Sequence, residues 1–264
     1  MSNYGIINYP DAQAVQKQLD ELIKKPIYSI SPEALKKATG YELTGKAAES
    51  KGFIHLINSG AACLDANGEA VCGKTGEHLI KQWYNDTAKK GDYIVFVNKN
   101  WYLNIAHPEV RKLICDGAAE ILAKYEMDGV HMDDYFYPTT DASFDGKAYN
   151  AYKKAGGKLS LADWRKDSLN ALVAELYATV KTHDLRALFG ISPAGNINTV
   201  RDSHYADVDT WCGNPGYIDY ICPQVYFGFE HASWAFDKTC KIWQDIIDTD
   251  YVSLIIGMSF GKAL

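Results

Sequence analysis

The run Asp128–Pro138, DGVHMDDYFYP, sets two adjacent carboxylates directly after a short apolar stretch and follows them with Tyr135, Phe136 and Tyr137. Carboxylates at the end of a buried strand are costly to desolvate, so they need partners, a cation or a solvent-filled cleft. Side chains alternate along a strand. His131 and Asp133 therefore share one face, and Val130, Met132 and Asp134 share the other. The apolar pair suits a helix-facing side, which leaves His131 and Asp133 aimed at a cleft and Asp134 where the chain turns. Asp133 is the first candidate for a reacting group and Asp134 the second. The structural alternatives are capping of the following loop for either carboxylate, and a packed, hydrogen-bonded core histidine for His131.

Other polar residues stand just past apolar runs: Asn58, Ser192, Gln224 and Tyr226. Gln224 and Tyr226 are two apart, so they share a face, where they can bond a hydroxyl-rich ligand or hold the carboxylates in place. Glu230 lies a few residues further on, as a loop carboxylate that is either solvated or part of the site. The chain carries 18 Tyr and 6 Trp. Several aromatics fall in strand-end loops, where flat faces can pack on sugar rings: Trp101, Tyr102, Tyr135, Tyr137, Phe227 and Phe229. Trp164, Trp211 and Trp243 lie in helical patterns and are expected in the core.

The elements that must position these residues are apolar runs alternating with amphipathic helices. The runs are Phe53 to Ile57, Gly129 to Met132, Leu188 to Ile191, Ile218 to Phe227 and Val252 to Gly257. Continuous apolar runs suit strands buried on both faces. A helix is expected from Pro108 to about Tyr125, with Pro108 at its first position. A second spans about Leu161 to His183, capped by Ser160, with Asp163 favourable near its positive end. A third covers about Phe236 to Asp248. Asp92–Asn104 reads as a hairpin turning at Asn98-Lys99-Asn100.

Repeated strand–helix–strand order implies parallel pairing through right-handed crossovers. No GxGxxG or GxxxxGK[ST] follows a strand, which weakens a nucleotide-binding open sheet. The expected fold is α/β, a TIM-type (β/α) barrel in which the polar strand ends converge on one face. One domain over residues 1–264 is expected. Its first fifty residues are hard to assign beyond helices at about Asp11 to Lys25 and Pro32 to Thr39.

The chain has 264 residues, 47% of them hydrophobic, which excludes disorder as its general state. A net charge of −6 without a basic run argues against a nucleic-acid partner. No apolar run reaches the roughly 18–20 residues of a membrane span. The opening MSNYGIINYPDAQ lacks the layout of a signal peptide. That leaves a cytoplasmic protein or one whose export signal lies outside this sequence. Nothing in the sequence marks an oligomeric state. Of the six cysteines, Cys115, Cys222 and Cys240 read as buried thiols, and Cys63 and Cys72 could pair if the protein is exported. No Cys/His spacing supports a metal site and no cofactor motif is present.

DGVHMDDYFYP, together with LADWRKDSLNALVAELY (161–177), LFGISPAGN (188–196), YADVDTW (205–211) and YIDYICPQVYFGF (217–229), resembles the bacterial glycosyl-hydrolase-like family ten, from about residue 79 to the end. The resemblance implies a TIM-type barrel, often exported or attached to the cell envelope. It also implies carbohydrate chains as substrate, peptide-free peptidoglycan strands among them. It adds Asn196 to the substrate-contacting set. The family's His-Ala-Trp-x-Asn-Pro-x-Arg strand has its nearest match in IHLINSGAA, where His55 and Asn58 fit while the Trp, Pro and Arg are absent. The family's first two strands have no counterpart in residues 1–50, and the chain stops near the expected seventh, so a barrel of fewer than eight strands is expected.

Glycoside hydrolysis uses two carboxyl groups, about 5 Å apart for retention or about 6.5–9.5 Å apart for inversion. On this reading Asp133 is the nucleophile or oxocarbenium stabiliser. Asp134 is the general acid, its apolar neighbours suiting a protonated carboxyl. Asp207, Asp209 and Glu230 are alternatives for the acid. His55, Asn58, His131, Tyr135, Tyr137, Ser192, Asn196, Gln224, Tyr226 and Glu230 form the expected substrate-contacting set. A carbohydrate-binding barrel without turnover is the second reading. A metal-dependent hydrolase with His131, Asp133 and Asp134 as ligands is the third, and no HxH or HxxxD spacing supports it.

Overall fold

The computed structural model describes residues 79–98, 100–125, 127–134 and 136–259. The expected front helices, the Phe53–Ile57 strand, His55, Asn58, the Cys63–Cys72 pair and Tyr135 lie outside the described residues. Among the described residues, one compact unit holds 79–90 with 98, 100 and 101, and a second holds Gly91–Val97 with the described residues from Tyr102 to 259. In the first unit, α1 (Leu79–Asn85) brings Tyr84 edge-on to Trp101, and the Lys90 ammonium stands 3.8 Å from the centre of the Tyr84 ring.

The expected hairpin is present as β1 (Ile94–Val97) and β2 (Asn100–Leu103), turned at Asn98 with φ of 50°. Asparagine tolerates this left-handed conformation better than other residues with a Cβ. Two long helices follow from the apolar stripes. Helix α2 (Pro108–Lys124) starts at its proline and buries Val110 and Leu122. Helix α4 (Leu161–His183) packs on α2 and buries Leu169, Leu172, Val173, Leu176 and Val180. The Ser160 hydroxyl oxygen accepts from the Asp163 N–H at 3.1 Å, the cap that fixes where α4 begins. Between them lie β3 (Gly129–Met132) and the short α3 (Gly146–Lys154).

The main sheet continues with β4 (Leu188–Ile191), β5 (Tyr220–Ile221) and β6 (Ser253–Leu254). It is interleaved with α5 (Ile197–Asp202), α6 (Val208–Gly213) and α7 (Phe236–Asp245). The four strands are all parallel and lie side by side in chain order, β3-β4-β5-β6. The protein is therefore α/β with a parallel sheet, and no closed barrel is found among the described residues.

Strands β5 and β6 are shorter than their apolar runs. Pro223 has no N–H to give to a ladder, so β5 stops ahead of it, and pairing resumes only as the single bridges Ala194–Gln224 and Gln224–Gly257.

The sheet has two chemically different faces. Phe189, Ile191 and Ile221 are fully buried, each contributing about 1.5–3 kcal/mol. The opposite face carries His131, Gly190, Tyr220 and Ser253 in one row across the four strands. Trp164, Trp211 and Trp243 are buried, as their helical settings predict.

Candidate functional site

Past the row of His131, Gly190 and Tyr220, the same face continues toward the strand ends as Asp133, Ser192 and Gln224. Asp133 is exposed just after β3. Its Oδ1 accepts from Gln224 Nε2 at 2.7 Å and from the Asp134 backbone N–H at 2.9 Å. Gln224 Nε2 also donates to the Ser192 carbonyl at 3.2 Å. With a carboxylate and a carbonyl both facing that nitrogen, the amide is assigned N-inward by its acceptors. The Gln224 backbone is fixed in turn by its N–H donating to the Pro193 carbonyl at 2.9 Å. Asp133 Oδ2 takes no hydrogen bond among the described residues, so one oxygen is held while the other remains available to a ligand.

One turn down the same face, His131 Nδ1 and the Tyr220 hydroxyl are 2.8 Å apart, and the two rings lie nearly parallel. Tyr220 reaches across β4 because residue 190 is glycine: a Cβ there would stand 2.0 Å from the ring. Burial raises the Tyr220 phenol above its ordinary range, so the hydroxyl stays protonated and can serve as donor. His131 is exposed, which replaces the packed-core alternative with a position on the open face. Gly190→Ala should displace the Tyr220 ring, destabilise the protein by about 1–3 kcal/mol and break the contact to His131. Thermal unfolding and the His131 ring signals in NMR would register both effects. An unchanged His131 environment would contradict this packing.

Asp134 is separated from Asp133. Its side chain is 5% exposed and turns to the helix-facing side. There it lines an apolar cavity of about 760 Å³ with Ile114, Ala118, Leu172 and Phe189. His204 Nδ1 stands 3.2 Å from Asp134 Oδ1, an ion-pair distance without hydrogen-bond alignment. His131, Asp133 and Asp134 therefore do not converge as a metal-ligand set.

Several expected substrate contacts have structural duties instead. Tyr137 is 2% exposed and packs edge-on against Phe144 and Tyr205, so it is a core residue. Burial drives its phenol well above the ordinary range. Asn196 caps α5, its Oδ1 accepting from the N–H groups of Asn198 and Thr199. Ser192 is buried and supports Gln224 through its carbonyl. Tyr226 and Glu230 are exposed on the loop after Gln224, near the 69%-exposed Phe229.

The alternative acids Asp207 and Asp209 are engaged elsewhere. Asp207 caps α6, and although burial opposes its charge, bonds from Thr210 and Asn170 hold it below the usual carboxylate range. Asp209 pairs with Arg201. Tyr220 and His204 carry no chemical motif in the local sequence. A glycine inside an apolar strand signals close approach of a neighbour and could have pointed to Tyr220.

The class this defines is an α/β protein whose parallel sheet presents an oriented carboxylate beyond its strand ends. The chain belongs to the Glycosyl hydrolase-like 10 family, which it matches over residues 75–263. It is 32% identical over 187 residues to Glycosyl hydrolase DigH of Escherichia coli strain K12, covering 65% of this chain and 42% of that protein. It is 33% identical over 191 residues to Glycosyl hydrolase YngK of Bacillus subtilis strain 168, covering 66% of this chain and 37% of that protein. The chain thus spans less than half the length of these relatives. A shorter stretch, 51 residues at 65% identity, is shared with the L-fucose isomerase of Phocaeicola vulgatus, 19% of this chain and 8% of the isomerase. His55 and Asn58 fall outside the family match as well as outside the described residues.

Proposed function

We propose that this chain is a glycoside hydrolase acting on a polysaccharide, with peptide-free peptidoglycan strands the leading substrate. The observation that carries the reading is Asp133: exposed past β3, held through one oxygen by Gln224 and the Asp134 N–H, on the polar face of the parallel sheet. Two relatives named glycosyl hydrolases support the reaction class. The isomerase likeness covers 8% of that enzyme and supplies no argument for isomerase chemistry.

In this reading Asp133 attacks the anomeric carbon or stabilises its oxocarbenium-like transition state. Gln224 keeps the carboxylate aimed, and His131 with Tyr226 bonds sugar hydroxyls. Glu230 takes the general-acid role, since Asp207 and Asp209 are bound into caps and ion pairs and Asp134 is buried against His204. Exposed Tyr226 and Phe229 offer flat faces for pyranose rings. The strand order, each strand beside its predecessor in the chain, supports reading the sheet as part of a TIM-type barrel. The family favours an exported or envelope location.

Incubation of the protein with peptide-free peptidoglycan strands and a panel of other polysaccharides tests the reading, with new reducing ends as the readout. Release from at least one glycan is expected. Tight glycan binding without release would move the assignment to a carbohydrate-binding protein.

A further inference from the structure

The pairing of Asp134 with His204 lies outside the cleft, and a buried carboxylate in an apolar cavity is retained only with a strong partner. Nδ1 of His204 stands 3.2 Å from Oδ1 of Asp134, within ion-pair reach, and the two side chains are only 12% and 5% exposed.

His204 is itself held firmly. Its N–H donates to the Thr199 carbonyl at 3.1 Å, closing the end of α5. The next residue, Tyr205, has φ of 53°, a left-handed conformation that costs a residue with a Cβ of order 1–3 kcal/mol. Its hydroxyl accepts from Arg165 Nη1 at 3.1 Å, which ties the strained segment to α4. A strained backbone fixed from both sides presents the His204 ring to the end of β3.

The consequence falls on Asp133. Fixing the Asp134 side chain on the helix-facing side fixes its peptide plane. The Asp134 N–H then points to the other face and donates to Asp133 Oδ1 at 2.9 Å. We infer that His204 and Asp134 are positioning residues: the buried pair locks the peptide whose N–H, together with Gln224, aims the Asp133 carboxylate. This rests on Asp133 being the reacting carboxylate.

Two arms test it on the full chain. In the first, His204→Ala should lower kcat on a cleaved glycan by about 10²-fold, the scale of a 1 Å misplacement at a reacting centre, with KM changed less than about threefold. His204→Asn, which restores a polar group near the Nδ1 position, should recover most of the loss. Equal losses in both variants, or a change in KM alone, would overturn the inference.

The second arm needs no turnover. In NMR spectra, Asp133→Ala, which removes the acceptor altogether, should shift the Asp134 amide strongly in the otherwise wild-type protein and only weakly in the His204→Ala background. The same large shift in both backgrounds would overturn the positioning role. If the wild type cleaves no glycan, the hydrolase reading fails, and the amide shifts alone decide whether His204 sets the Asp133 geometry.

Discussion

Asp133→Asn is expected to lower the rate of glycan cleavage by roughly 10²–10³-fold or more, the scale seen when one charge-stabilising group is removed from a reacting centre. The amide matches the carboxylate in size, and its oxygen can still accept from Gln224 Nε2 and the Asp134 N–H. Folding and ligand affinity should therefore be nearly unchanged, and the loss should fall on kcat. Steady-state kinetics with calorimetric binding to a glycan fragment would separate the two. A variant that cleaves within threefold of the wild type would remove Asp133 from the chemistry. A variant that has lost binding and cleavage together would point to a structural role.

The second large effect concerns stability. Arg165 and Asp145 both have side-chain exposures of 0%. Arg165 Nε and Nη2 donate to the two Asp145 oxygens at 2.8 and 2.7 Å. The remaining N–H groups reach the Thr140 and Asp141 carbonyls and the Tyr205 hydroxyl. Five donors in a planar fork are thus all used, between the rings of Tyr137 and Tyr205. Arg165→Met leaves the Asp145 carboxylate buried without its cation, which should cost about 3–5 kcal/mol. For a domain of this size the melting temperature should fall by roughly 6–20 °C. Arg165→Lys should recover little, because an ammonium cannot reproduce the bidentate geometry. Replacing both partners, Arg165→Met with Asp145→Leu, should be milder than Arg165→Met alone. Denaturant unfolding of the four proteins checks this, and a single-variant loss below about 1 kcal/mol would show that the loop tolerates a lone carboxylate.

These two sites differ in how far they could be read from residues alone. Asp133 was legible because strand alternation and two carboxylates at a strand end follow from local sequence. The span of α4 was legible for the same reason: an apolar stripe, Ser160 before it, and Asp163 at its first turn. Arg165 was not, since a cation beside an apolar stripe reads as solvated and its partner lies twenty residues upstream. Tyr137 follows a strand end, which made it look like a sugar platform, yet its ring turns under Arg165 into the core. Asn196 carried a recognisable cap signature ahead of Ile197, obscured by the six-residue length of α5. His204 has no local signal at all: its meaning comes from Asp134, seventy residues earlier in the chain, and tertiary structure alone brings them together.

Product mass spectrometry after incubating peptide-free peptidoglycan strands with the wild type and with Asp133→Asn tests the central claim most directly. The account predicts oligosaccharides of defined mass from the wild type and none from the variant, with both proteins melting cooperatively at similar temperatures. Identical product series from the two proteins would contradict it, since cleavage would then proceed without the carboxylate on which the whole site is built.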